Sequence, residues 1–235
     1  MPLNAFAPKP TVIIEPSEAP EFLAKFGIDI ADIQEGLEAG EQAAGNTRSS
    51  APVTAAGTRR WFDTTEVIRD HLMVKSGWKL ANPKGRPLSI HPSGKHILGI
   101  LGGDANTGIL DPDVVPKANR KKGPATGESV KANQPALFYL NMPSDEPALF
   151  YLNMPSDEMV RELVSGVPSE GHWFLLYYRD VEEIRCEISL PYPEFDGGQF
   201  HRWQYRVILP SIDKSAIDRS KIPDIGGGDV EFKIA

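Results

Sequence analysis

Apolar residues recur along this chain with two different periods, and the change of period divides it. Ile30, Ile33 and Leu37 fall at i, i+3 and i+7, the spacing of one helical face. They predict an amphipathic helix over 30–43, with Phe22, Leu23 and Phe26 forming a turn of helix before it. Val67, Ile68, His71 and Leu72 make a second helical stripe. Asp63 stands where it would cap the first turn, and Glu66, three residues on, completes a capping box. Phe62 and Val67 are placed for a hydrophobic staple. Gly77 takes a left-handed stop without strain, so the helix is predicted over 64–75.

Beyond Gly77 the period shortens to two. Residues 87–91 and 96–101 read as a hairpin closed by Pro92-Ser93-Gly94-Lys95, and the second strand is apolar throughout, as a central strand covered on both faces would be. Residues 172–179 are apolar on both faces. Ile184, Cys186, Ile188 and Leu190 alternate with Arg185, Glu187 and Ser189, and Trp203, Tyr205, Val207 and Leu209 alternate with Gln204, Arg206 and Ile208. Both are read as half-buried strands with a solvated polar side. Val230, Phe232 and Ile234 suggest a short last strand, and Ser156 would cap a helix over 157–165. Strands in sequence with short turns predict an α+β fold: a mostly antiparallel sheet flanked by a few helices.

The intervening segments set the organisation. Residues 1–44 form an acidic helical arm, 45–58 a small, polar linker, and 59–235 the α+β domain, with a long loop at 102–134. Residues 135–146, PALFYLNMPSDE, are repeated without change at 147–158. A helix would carry the second copy ~120° out of phase and a strand would displace it by roughly 40 Å, so one structural slot holds only one copy.

Charge sharpens this division. The 235 residues carry 25 Lys plus Arg against 32 Asp plus Glu, a net −7. Residues 1–46 account for most of it, with eight acids and two bases. The one basic cluster is Lys117, Arg120, Lys121, Lys122 and Lys131 against Glu128. A single cysteine excludes a disulfide-stapled scaffold. The chain shows neither a signal peptide nor an apolar stretch long enough to span a bilayer, so a cytoplasmic protein without membrane contact is expected.

Candidate chemistry is sparse. His91 and His96 flank the hairpin loop and, with Asp104, could hold a metal ion. Gly102-Gly103-Asp104-Ala105-Asn106-Thr107-Gly108 follows an apolar strand, where phosphate cradles form, although a turn with Asp104 and Asn106 in left-handed positions explains it as well. Lys117, Arg120, Lys121, Lys122 and Lys131 could grip a phosphate backbone or another anion, without interleaved aromatics for base stacking. Cys186 lies on an apolar strand face, a poor setting for a nucleophile. No catalytic triad, metal signature or cofactor motif converges. The expected function is therefore a non-catalytic binding or accessory protein acting through a protein partner or self-association, with no cofactor. The alternative is a phosphate- or nucleic-acid-directed enzyme or binding protein using the 102–131 loop.

Overall fold

The computed structural model describes residues 11–133 and 168–217. The duplicated segment 135–158, the helix expected over 157–165 and the last strand at 230–234 lie outside the described residues. The fold is α+β. Among the described residues, four helices, α1 (Ala19–Ala24), α2 (Ile30–Gly45), α3 (Ala55–Ser76) and α4 (Pro124–Lys131), accompany ten strands. These are β1 (Val12–Ile14), β2 (Lys79–Ala81), β3 (Leu88–Ile90), β4 (His96–Gly102), β5 (Gly171–Arg179), β6 (Glu183–Pro191), β7 (Phe195–Asp196), β8 (Gln199–Phe200), β9 (Trp203–Ile208) and β10 (Ile212–Asp213).

The large sheet runs β1-β9-β6-β5-β4-β3-β2, and β10 pairs with β6 beyond the end of β9. It is mostly antiparallel, but β1 lies parallel to β9 and β4 parallel to β5. The parallel β4–β5 pair requires a crossover, and residues 103–170 supply it. A two-stranded ribbon of β7 and β8 stands apart.

Both faces of the sheet are covered. On one, α1, α2 and α3 pack Phe22, Leu23, Ile33, Leu37, Ile68 and Leu72 onto alternate residues of the central strands, among them Leu98, Trp173, Leu175, Cys186, Ile188 and Val207. On the other, Phe174, Leu176 and Trp203 pack with Ala118 and Val130 of the crossover and with Phe200 of β8. Trp203 reaches this second face because the register between β6 and β9 shifts at Leu190/Pro191. The acidic N-terminal segment thus contributes two helices to the first core. Asp29 caps α2 by accepting from the Ala31 N–H at 3.0 Å.

α2 and α3 approach closely through Gly36 and Gly40. A Cβ at Gly36 would lie 2.3 Å from Ile68 Cγ1, and one at Gly40 would lie 2.1 Å from Thr64 Oγ1 and 2.7 Å from the Arg60 carbonyl. α3 itself departs from expectation. It starts at Ala55, so residues 55–58 of the expected linker form its first turn, and its N-cap is Thr54. Asp63 is inside the helix, where it caps nothing, and Phe62 is 54% exposed rather than stapled. The early start is held by tertiary contacts: Arg60 Nε donates to Glu41 and Trp61 Nε1 donates to the Ile100 carbonyl. The stop is as expected, with Gly77 left-handed at φ 67°.

The strands at β6 and β9 are covered on both sides, not half-buried. Glu187, Ser189, Gln204 and Arg206, whose polarity suggested a solvated side, are all buried. The long segment after β4 explains this: residues 103–118 form a strap across them. At the far end of the strap's continuation, Asn133 accepts the His172 N–H at 2.8 Å and donates to the carbonyls of His172 and Pro191 at 3.3 and 3.2 Å.

Candidate functional site

The strap is built around one buried ion pair. Arg206 on β9 and Glu187 on β6 face each other with side chains 1% and 0% exposed. Arg206 Nε and Nη2 donate to the two carboxylate oxygens at 3.1 and 2.7 Å. The remaining guanidinium donors go to three strap carbonyls, Ile109 at 2.9 Å, Asp111 at 3.1 Å and Val114 at 2.9 Å. Glu187 also accepts the Gly108 N–H at 2.8 Å and the Ser189 hydroxyl at 2.7 Å. Every charge-bearing atom of the pair has a partner, the condition under which burial of two charges is tolerated. The chemistry here is positional: the pair anchors the strap to the sheet.

Anchored in this way, the glycine-rich turn at 102–108 commits most of its amides within the fold. Gly103 N–H donates to the Tyr177 carbonyl, Asp104 N–H to Lys117, Thr107 N–H to Asp104, and Gly108 N–H to Glu187. The Asp104 carboxylate accepts the amides of Asn106 and Lys117 at 3.2 and 3.1 Å. It works as an Asx turn, and only Gly108 among these residues has positive φ, at 75°.

His91 and His96 do meet on one face of the β3–β4 hairpin, with ring centroids 5.5 Å apart and nearly perpendicular. Each also stands against an aromatic ring, His91 on Trp78 and His96 on Phe26. Asp104 is not with them, being engaged in the turn beyond the opposite end of β4. Burial holds both imidazoles below their ordinary pKa, and for His96 the neighbouring His91 adds to the effect.

Among the described residues, one group of three potential ligands does converge: Asp32 and Glu35 on α2 and His71 on α3. His71 Nδ1 lies 2.8 Å from Asp32 Oδ1, and the Lys75 ammonium bonds to the same oxygen. Burial pushes the Asp32 carboxyl upward, but the hydrogen bonds from Lys75 and His71 outweigh it and hold the group below its usual range. An ammonium already on Asp32, the buried one of these three groups, makes this an interhelical ion network, complementing the glycine contact of α2 and α3.

The basic residues are displayed on the strap's outward continuation. Lys117, Arg120, Lys121 and Lys131 are exposed, and Lys122 is partly buried. The backbone carrying them is fixed: Asn119 N–H donates to the Gly102 carbonyl, Lys122 N–H to Gly198, and the Gln199 side chain brackets Ala118 with two hydrogen bonds at 3.1 and 2.9 Å. Burial and the charge of Arg120 push the Lys122 ammonium pKa down. Nearby, Glu128 is held by Lys84 at 2.6 Å. The cations therefore stand on the second face of the sheet, while the acids of α1 and α2 stand on the first.

The Cys186 thiol is fully buried, with its pKa pushed up to about 12 by desolvation. His172 is buried and stacked on Phe174, and desolvation pushes it down to about 3. Sequence reasoning missed Glu187 and Arg206 as a pair. Their signal was opposite charge on the polar sides of two alternating strands, which pair as antiparallel neighbours in the sheet. No family model matches the chain, and no curated protein or solved structure matches it either. Among the described residues, no helix is long and apolar enough to cross a membrane.

Proposed function

We propose that this chain is a non-catalytic binding protein that docks an acidic partner protein on the face formed by Lys117, Arg120, Lys121, Lys122 and Lys131. The observation that carries this reading is a cluster of cations without ion-pair partners among the described residues, most of them displayed on a backbone that the hydrogen bonds of Asn119, Lys122 and Gln199 hold in place. A preformed basic surface spends little ordering entropy on binding and attracts negative partners over a Debye length. The reading is further supported by the structural employment of the reactive side chains, with Cys186 inert in the core and Glu187 saturated by hydrogen bonds.

The same cations could track a phosphate backbone, and one experiment separates the two partners. Binding of the full chain to a fluorescent poly-glutamate peptide and to a DNA duplex is measured by anisotropy at several salt concentrations. The Lys117→Ala, Arg120→Ala, Lys121→Ala, Lys131→Ala variant is compared. Peptide binding that the variant loses supports the proposal. Duplex binding alone, with a salt slope reduced by nearly one unit per lost phosphate contact, replaces the protein partner with nucleic acid. Neither probe binding at low salt ends both readings.

A further inference from the structure

A cavity of about 350 Å³ opens at the C-terminal end of α2. Three cations from three separate elements line it: Arg60 of α3, Arg179 at the end of β5 and Lys214 in the turn after β10. One carboxylate, Glu41 of α2, lies between them. Its Oε1 accepts Arg60 Nε at 2.5 Å and its Oε2 accepts Arg179 Nε at 2.9 Å. We infer that this cavity is a binding site for a small phosphate-bearing anion, a phosphate monoester or inorganic phosphate, gripped by Arg60, Arg179 and Lys214.

The hydrogen-bond inventory supports this. Glu41 engages each guanidinium through Nε alone, which leaves both Nη groups of Arg60 and of Arg179 as donors. Lys214 Nζ donates to the Asp180 carbonyl at 2.9 Å and to the Val181 carbonyl, so its position is fixed while one N–H remains. Glu41 orients the two arginines without neutralising the group, which keeps a net charge of +2. The negative end of the α2 dipole, worth roughly half a charge, does not balance that. Two of its last carbonyls, Gln42 and Ala44, moreover already accept the amides of Asn46 and Thr47. Guanidinium forks match phosphate oxygens bidentately, which selects phosphate over a halide.

Size and surroundings select a small ligand. The volume is at the lower end of small-molecule pockets, and Ala44 and Ile217 give it an apolar wall. On the other side of Lys214 lies an open groove lined by Asp180, Glu182, Glu183 and Asp213. That neighbouring acidic groove repels an extended polyanion such as a nucleic acid, while a single phosphate group stays within the cationic cavity.

The test is calorimetric titration of the full chain with inorganic phosphate and with ribose 5-phosphate, at constant ionic strength in chloride. Saturable one-to-one binding with a dissociation constant on the order of 1 mM or below is expected for at least one of them. Saturation by both assigns the site to the phosphate group itself. Saturation by the monoester alone shows that the apolar wall contributes. Arg179→Gln and Lys214→Ala should each weaken binding at least fivefold, whereas Lys121→Ala on the strap should not change it. The side chain of Arg179 is 44% exposed, so its substitution leaves the core intact, and Lys214→Ala carries the test should Arg179→Gln misfold. No titration with either ligand, or variants within twofold of the parent, overturns the inference. The basic-face proposal stands or falls separately, since none of its residues takes part.

Discussion

Removing the Glu187 carboxylate is expected to be among the most damaging single changes in this protein. Glu187 accepts four hydrogen bonds, two of them from Arg206. Glu187→Gln preserves shape and leaves the Arg206 cation buried opposite a neutral group. Breaking a buried pair in this way costs about 3–5 kcal/mol, a large part of the 5–15 kcal/mol that holds a typical domain together. Arg206→Met should cost a similar amount by stranding the anion. The double variant Glu187→Met, Arg206→Met removes both charges at roughly constant volume. It orphans the strap carbonyls of Ile109, Asp111 and Val114, which are near enough to the surface to find water, together with the Gly108 N–H and the Ser189 hydroxyl, so its cost should be about 2–4 kcal/mol. The double variant should therefore be more stable than the sum of the singles by several kcal/mol. Urea unfolding followed by tryptophan fluorescence measures all three. Single-variant costs under ~1 kcal/mol, or costs that add within ~0.5 kcal/mol, would refute the assignment of this pair as the strap's anchor.

Three other perturbations follow from the packing and the pKa shifts. Gly40→Ala should destabilise by about 1–2 kcal/mol despite the roughly 1 kcal/mol gain in helix propensity, because its Cβ meets the Arg60 carbonyl; Gly45→Ala, with open space around it, should raise the melting temperature. Asp63→Ala should leave stability unchanged or raise it by a few tenths of a kcal/mol, since Asp63 lies within α3; a loss of 1 kcal/mol or more would restore a capping role. His172 binds a proton only near pH 3 when folded but near 6.5 when unfolded, so the unfolded state takes up more protons between those values and stability falls as pH drops through that window. At pH 5 this costs ~2 kcal/mol relative to pH 7 or above, and His172→Phe should abolish that increment in paired urea titrations at the two pH values.

The parts of the fold legible in the sequence are those whose pattern arises from one buried face. The β3–β4 hairpin, β5 and α2 carry their own periodicity and turn residues. β1 is three residues long and pairs with β9 from the far end of the chain, so nothing local distinguishes it. The first turns of α3 have no apolar stripe and are held instead by Arg60, Trp61 and the close approach of Gly40. α4 was hidden in a polar segment whose buried contacts are only Thr126, Gly127 and Val130. The polar sides of β6 and β9 misled for a specific reason: alternation shows which face is polar, and only the partner across the strands shows whether water or a charge satisfies it. The same limit applied to the candidate site. The proximity of His91 and His96 followed from hairpin spacing, but the fate of Asp104 depended on the amides of its own turn. The convergence of Arg60, Arg179 and Lys214 depended on three elements that only tertiary structure assembles.

The Asn133 contacts bear on how this chain tolerates change in length. Asn133 and His172 are the two shores of the segment that contains the repeated dodecamer, and one side chain ties them together through both backbone groups of His172. Whatever lies between enters and leaves at a fixed gap. Lengthening a connection of 26 residues to the present 38, residues 134–171, between these tethered ends adds only ~0.3 kcal/mol of closure entropy. A tandem copying event at this point leaves the β4–β5 register undisturbed, whereas twelve residues inserted within either strand would not. The clasp makes this place in the gene a permissive harbour for insertion, where new sequence arrives without renegotiating the sheet.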